Sequence, residues 1–246
     1  MKLKINNLII TFIYLINYIL FFYLKKYLIL IIKFYMIQEV VALIDRSGSM
    51  AGKEEDTIGG INSTISELKE NKENEIIKFS LKFFDHMEDL KLRSLDIENV
   101  YPLNKNDLRP RGQTALLDAM GNTIIYFINK KITMPDSFNN CIIYVATDGM
   151  ENASKKYNNE KIKNLIIEAK KYNIELLYLG ANQDAIFEAG KFGLNVNQAM
   201  NYSETSGTVQ EAYRSVAKAA KRYRTRTEDL GFLQAERTLS QVPTDL

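Results

Sequence analysis

Five oxygen-bearing side chains stand at three points where the sequence predicts a junction between a strand and a helix. An Asp-x-Ser-x-Ser pattern follows the first predicted strand, a threonine begins a helix, and an aspartate follows another apolar strand. The five residues are Asp45, Ser47, Ser49, Thr114 and Asp148. Carboxylate and hydroxyl oxygens without sulfur or imidazole suit a hard divalent cation, so this set predicts a site for Mg²⁺, with Mn²⁺ or Ca²⁺ as alternatives. Ordinary helix capping by Ser, Thr and Asp is the competing interpretation.

The cysteine and histidine content limits which metal sites and catalytic groups the chain can form. The 246 residues include one cysteine, Cys141, and one histidine, His86. A cysteine-cluster or multi-histidine zinc site is therefore excluded, and a Ser-His-Asp triad would have one imidazole to draw on. We expect Cys141 to be a small core residue at the start of a strand and His86 to lie in a hairpin turn.

Strand-like and helix-like stretches alternate from Ile37 to about Tyr223. Val40–Ile44 and Cys141–Thr147 are continuous apolar runs, which is typical of strands buried on both faces. Residues 78–85 and 89–97 predict two strands joined by a hairpin. The other predicted strands are 174–180 and 198–202, and the predicted helices are 56–70, 114–130, 161–172, 184–192 and 208–223.

This alternation predicts an α/β fold of the doubly wound class. We expect a mostly parallel central sheet with one antiparallel edge strand and with helices on both faces. In such a sheet, side chains at the carboxyl ends of strands meet where the strand order reverses. Val40–Ile44 and Ile142–Val145 should therefore be neighbouring central strands, with Asp45 and Asp148 side by side.

The motif set resembles that of the von Willebrand factor type A (vWA) domain, whose metal-ion-dependent adhesion site (MIDAS) consists of Asp-x-Ser-x-Ser, a distant Thr and a distant Asp. The similarity extends to small bacterial and phage proteins of this type. It is carried by the stretches LIDRSGSMAGKEEDTIGGINS, RGQTALLDAMG, TDGMENAS and LGANQDA, within residues 37–223. The resemblance implies a Rossmann-like vWA fold and a metal-binding role for the five residues, but it implies no particular pathway.

The function that these expectations favour is divalent-metal-dependent protein binding. An Asp or Glu of a protein partner would complete the coordination of the ion. Asp118 and Glu151 are candidates for supporting the ligands, and Arg111 is a candidate contact for the partner's carboxylate. Two alternatives stay open: a metal-dependent hydrolase that uses ion-activated water, with Glu151 as its base, and a scaffold whose metal site is idle.

Charge is distributed unevenly along the chain. The formal net charge is +2, but residues 1–35 hold five lysines and no acid, so residues 36–246 carry more acidic than basic side chains. This balance gives no general attraction to nucleic acid, and no nucleic-acid partner is expected.

The first 35 residues form a separate segment that uses only eight amino-acid types. Residues 8–24 are apolar but at the short end of a membrane span, with Asn17 in the middle. Residues 1–35 are therefore either a spurious extension, which would make the protein cytoplasmic with a start at Met36, or a single-pass membrane anchor. The predicted vWA domain covers residues 37–224, and residues 225–246 are predicted to be a C-terminal tail.

We predict that a chain starting at Met36 folds like the full chain, because the first predicted strand begins after it. Both chains should show the same cooperative thermal unfolding transition. Native protein with the intact mass of a start at Met1, recovered in the membrane fraction, would support the anchor instead.

Overall fold

A computed structural model of the protein describes residues 14–25, 36–70, 75–181, 184–225 and 230–241. The chain divides into two compact units, Met1–Met36 and Ile37–Leu246. In the first unit residues 14–25 are helical, and residues 8–13 of the apolar segment lie outside the described residues. No helix within the described ranges combines the length and the apolar character needed to cross a membrane.

The second unit is built on a six-stranded sheet. Its strands are β1 (Ile37–Asp45), β2 (Ile76–Phe84), β3 (Glu88–Asp96), β4 (Asn140–Thr147), β5 (Ile174–Ala181) and β6 (Ala199–Tyr202). Their spatial order is β3-β2-β1-β4-β5-β6. β3 runs antiparallel to β2 at one edge, and the other neighbouring pairs are parallel. The predicted sheet with one antiparallel edge strand is confirmed.

Helices cover both faces of this sheet. They are α1 (Glu54–Glu70), α2 (Leu116–Thr133), α3 (Asn159–Lys170), α4 (Ala185–Lys191), α5 (Ser206–Thr225) and α6 (Gln234–Leu239). The apolar sides of α1 and α5 pack in one core, and those of α2, α3 and α4 pack in another on the opposite face. Two separate cores on one sheet are what a doubly wound fold requires.

β1 and β4 are the central strands, as predicted, and Val41 lies opposite Ile143 in their register. Successive side chains of a strand point to opposite faces, so Val40 contributes to one core and Val41 to the other. Both faces are covered, which explains why these strands are apolar without alternation. Cys141 is buried among them.

The strand order reverses between β1 and β4. From β1 the chain continues to β2 on one side, whereas from β4 it continues to β5 and β6 on the other. The carboxyl ends of two adjacent parallel strands therefore form a crevice, with Asp45 ending β1 and Asp148 directly following β4.

The described part of the C-terminal region, residues 230–241, packs against the domain. Phe232 is buried in the same core as α5, and its N–H donates to the carbonyl of Asn197 at 2.7 Å. At the outer edge of β6, Arg237 donates to the carbonyl of Ala199 at 2.5 Å. The hydroxyl of Ser240 donates to the carbonyl of Asn201 at 3.2 Å. Side chains of this segment thus donate hydrogen bonds to two carbonyl groups at the edge of the sheet.

The two-sided burial of β4 generates a stability prediction. Ile143→Asp should prevent folding, because an unpaired buried charge costs several kcal/mol, and a domain has only about 5–15 kcal/mol of stability. Ile167→Asp on α3 is the matched control, since Ile167 is 54% exposed. Its free energy of unfolding should fall by only about 1 kcal/mol, because an aspartate in the last turn of a helix opposes the helix dipole. Circular dichroism during urea unfolding measures both, and a normally folded Ile143→Asp variant would contradict the placement.

Candidate metal centre

Asp45 is the innermost residue of the candidate site and is fully buried. Its Oδ1 accepts a hydrogen bond from the N–H of Ser47 at 2.7 Å, and its Oδ2 accepts one from the hydroxyl of Thr147 at 2.6 Å. Burial raises the pKa of the Asp45 carboxyl above its ordinary value, these hydrogen bonds oppose the rise, and the charge of Asp148 adds to it. A nearby cation would therefore stabilise the ionised form.

Two hydroxyls connect the loop after β1 with the end of β4. The Oγ atoms of Ser47 and Ser49 lie 3.0 Å apart, and Ser49 Oγ donates to Asp148 Oδ1 at 2.6 Å. Ser47 is buried and Ser49 is exposed. The row of oxygens thus runs from the interior of the domain to its surface.

Gly149 marks the point around which three of the predicted ligands gather. A Cβ added to Gly149 would lie 3.2 Å from Ser49 Oγ, 3.3 Å from Thr114 Oγ1 and 3.8 Å from Asp45 Oδ2. A side chain at this position would fill the space between the oxygens. The structure therefore brings together all five residues predicted from the sequence, since the other two are hydrogen-bonded to members of this group.

Thr114 is held by Asn152 from the loop after β4. The N–H of Thr114 donates to Asn152 Oδ1 at 2.9 Å, and the N–H groups of Asn152 and Ala153 donate to the carbonyl of Thr114 at 3.1 and 3.2 Å. α2 was expected to begin at Thr114 but begins at Leu116. The reason is that the backbone of Thr114 pairs with this loop and not with the helix.

Glu151 supports the site by fixing the loop after β4. Its Oε1 accepts from the N–H groups of Ala153 and Ser154 at 2.9 and 2.7 Å. Its Oε2 accepts from the N–H of Leu117 at 2.9 Å and from the hydroxyl of Ser154 at 2.7 Å. Both oxygens are thus engaged with the loop and with the first turn of α2.

Asp118 fixes the continuation of the same loop. Its carboxylate accepts from the N–H groups of Lys155, Lys156 and Tyr157 at 2.9, 2.9 and 3.0 Å. Burial opposes ionisation, but these hydrogen bonds and the charge of Lys156 lower the pKa of Asp118 below its ordinary value. Asp118 therefore positions the loop that carries Asn152.

Arg111 is tied to a buried carboxylate, that of Asp85 directly after β2. The Nε atoms of Arg111 and Arg46 each donate to Asp85 Oδ2 at 2.9 Å. Burial opposes ionisation, but the hydrogen bonds from Arg111 and Met87 and the charge of Arg46 lower the pKa of Asp85. Since the N–H of Arg111 also donates to the carbonyl of Arg46, this network joins the loop that carries Thr114 to the end of β1. The Arg111 side chain is nevertheless 53% exposed.

Lys53 is a residue of the site that the sequence analysis missed. Its Nζ donates to Asp148 Oδ2 at 2.5 Å and also contacts Glu204, from the loop between β6 and α5. Burial opposes the charge of Lys53, but the hydrogen bonds to both carboxylates raise the pKa of its ammonium above the ordinary value. Lys53 directly precedes α1, whereas Asp148 follows β4 and Glu204 follows β6. Because both carboxylates are distant from Lys53 in sequence, no local spacing predicts their contact with it.

The donor set fits a hard divalent cation. It has two adjacent carboxylates and three hydroxyls, the oxygen ligands that Mg²⁺, Mn²⁺ and Ca²⁺ accept. No group of three or more His, Cys, Asp and Glu side chains is arranged to hold a metal ion in the described ranges. The candidate centre therefore depends on its hydroxyls as much as on its carboxylates.

Known proteins match this chain through structure alone. No family model and no curated protein matches it. Proximal thread matrix protein 1 from the mussel byssus is 13% identical with a TM-score of 0.55, and the match covers 76% of this chain and 47% of that one. The von Willebrand factor type A structure from Catenulispora acidiphila is 17% identical with a TM-score of 0.53, covering 76% and 43%. The chain thus spans less than half the length of these two proteins.

A third structure matches over nearly its whole length. The vWF domain of the type V pili tip protein Mfa5 from Porphyromonas gingivalis is 12% identical with a TM-score of 0.53, and the match covers 78% of this chain and 95% of that one. At these identities the similarity concerns the fold. The chain has the von Willebrand factor type A fold, which the motif set had predicted.

The anchoring of the loop by Asp118 predicts a pH dependence of stability. A lowered pKa in the folded state adds stability above the ordinary pKa of about 3.9, and this stability is lost as the pH falls through the folded-state pKa. Asp118→Asn should therefore unfold at lower urea concentration than the wild type at pH 7, and the difference should shrink below about pH 4. Asp136→Asn in an exposed turn removes the same charge and is the control. A constant difference between Asp118→Asn and the wild type across this pH range would contradict the assignment.

Proposed function

We propose that the vWA domain of this protein is a divalent-metal-dependent protein-binding module. Asp45, Ser47, Ser49, Thr114 and Asp148 would hold Mg²⁺, or Mn²⁺ or Ca²⁺, directly or through water. The bound ion would supply a positively charged coordination position for an Asp or Glu side chain of the partner.

The convergence of the five oxygen-bearing side chains carries this proposal: three lie around Gly149, and Ser47 and Asp148 are hydrogen-bonded to Ser49. It occurs at the reversal of strand order, where doubly wound folds bind their ligands. The row of oxygens opens to the surface at Ser49, which is exposed.

The structural neighbours agree with a protein partner in a general way. The Porphyromonas domain with this fold is part of a pili tip protein. The vWA fold commonly mediates protein–protein interaction, and we extend that role to this chain.

The arrangement of Glu151 argues against the hydrolase alternative. Its two oxygens accept four hydrogen bonds from the loop after β4 and from α2. Removing a proton from a water molecule would compete with these hydrogen bonds. Glu151 is better explained as a residue that positions Thr114 through its loop.

The first test of the proposal is metal binding. An ion that binds the folded but not the unfolded chain stabilises the fold by RT ln(1+[L]/Kd), where [L] is the concentration of free Mg²⁺ or Mn²⁺. This is about 0.4 kcal/mol at the Kd and about 1.4 kcal/mol at ten times the Kd. The wild type should therefore show a rise in Tm of about 2–6 °C at ten times the Kd, and the rise should keep growing with the logarithm of the metal concentration. Asp45→Asn should abolish the rise. In EDTA this variant should be at least as stable as the wild type, because a buried charge beside Asp148 is removed.

Asp136→Asn, which removes one negative charge from an exposed turn, should keep the full metal-dependent rise. Titration calorimetry provides the direct measurement. The proposal is contradicted if no divalent ion binds up to about 10 mM, or if Asp45→Asn binds the ion as tightly as the wild type does. The five side chains would then only cap helices and hydrogen-bond to the loops.

Partner binding separates the three functional interpretations. Under the proposal, a captured partner should be lost in EDTA and with Asp148→Ala. Capture of the same partner without metal would favour a scaffold with an idle site, and turnover of phosphoester or peptide substrates that is lost on replacing Asp45 would favour a hydrolase.

A further inference from the structure

Asp148 divides its carboxylate between two kinds of donor. Oδ1 accepts the hydroxyl hydrogen of Ser49 at 2.6 Å and faces the other candidate ligands. Oδ2 accepts from the ammonium of Lys53 at 2.5 Å. The Asp148 side chain is only 2% exposed and that of Lys53 is 30% exposed, so water screens their contact only in part.

Lys53 is held in this position by its backbone and by its side-chain ammonium. Its N–H donates to the carbonyl of Met50, and its carbonyl accepts from the N–H of Thr57 in the first turn of α1. Its ammonium lies between Asp148 and Glu204. The three residues line a cavity of about 220 Å³ beside the candidate centre. The chain therefore places a cation of its own next to a ligand of the proposed ion.

We infer that Lys53 sets the metal affinity of this site: its charge lowers the affinity for the ion alone and increases the need for a carboxylate from the partner. The inference rests on the proposed function and deepens it. The charge of Lys53 offsets part of the negative charge of the two candidate carboxylates, and Glu204 on the same ammonium restores part of it. A bound ion therefore keeps more positive charge for a partner's Asp or Glu to neutralise than it would without Lys53.

Glu204 moderates this effect by sharing the ammonium. Without Glu204, the charge of Lys53 would act on Asp148 alone and would repel a cation more strongly. Because Glu204 belongs to the loop before α5, the affinity of the centre depends on a segment that contributes none of the five ligands.

A purely structural role for Lys53 makes a different prediction. If Lys53 only joins the start of α1 to the two loops, its removal should lower stability without improving metal binding. The two roles are separated by measuring Mn²⁺ affinity and unfolding independently.

The experiment is titration calorimetry of the full chain with Mn²⁺. Lys53→Met keeps the aliphatic stem and should bind Mn²⁺ about tenfold more tightly, because a unit charge a few ångströms away acts on a divalent ion even at the dielectric constant of water. Lys53→Arg keeps the charge and should stay within about twofold of the wild type. Glu204→Gln should bind about threefold more weakly, because it removes a negative charge that offsets Lys53. Lys171→Met, an exposed lysine at the end of α3, controls for net charge and should bind like the wild type.

Melting in EDTA confirms that each variant is folded. Unchanged or weaker binding by folded Lys53→Met overturns the inference but leaves the proposed function intact, provided that the wild type binds Mn²⁺. Equal tightening by Lys53→Met and Lys171→Met also overturns it, since net charge would then explain the effect. No binding by either the wild type or Lys53→Met overturns the proposed function and this inference together.

Discussion

The placement of two carboxylates side by side at the ends of β1 and β4 is the constraint on which the rest of the site depends. Their charges repel each other, and Asp45 is fully buried. The domain compensates with neutral donors around Asp45 and with an ammonium on Asp148. These donors offset part of the cost of placing two carboxylates at the strand reversal, where a cation would contact both.

A second group of acidic residues lies outside the five candidate ligands and holds the loops in place. Asp85, Asp118 and Glu151 accept hydrogen bonds from backbone N–H groups or from arginines, and each fastens a loop that carries or contacts Thr114. The candidate ligand oxygens are therefore carried by loops whose backbone groups are hydrogen-bonded to other side chains.

Much of this could be predicted from the sequence, because buried parallel strands and amphipathic helices have distinct periodicities. Asp45 and Asp148 were placed correctly since strand ends and strand order together fix their positions. The sequence could not reveal the roles of Lys53 and Asn152, which depend on contacts made by loops distant in sequence. Arg111 was expected to be a candidate contact for the partner's carboxylate, but its hydrogen bond to Asp85 was not predicted, because Asp85 lies in a different loop. Sequence spacing predicts which residues meet at a sheet edge, but not which side chains hold a loop in place.

The C-terminal segment has a consequence for how this domain associates with copies of itself. A strand at the edge of a sheet presents carbonyl groups that can pair with a strand from another molecule, and such pairing leads to aggregation. At β6 the guanidinium of Arg237 and the hydroxyl of Ser240 occupy the carbonyls of Ala199 and Asn201. These side chains end the hydrogen-bonding ladder without adding a strand, so the sheet cannot be extended there unless the C-terminal segment detaches first.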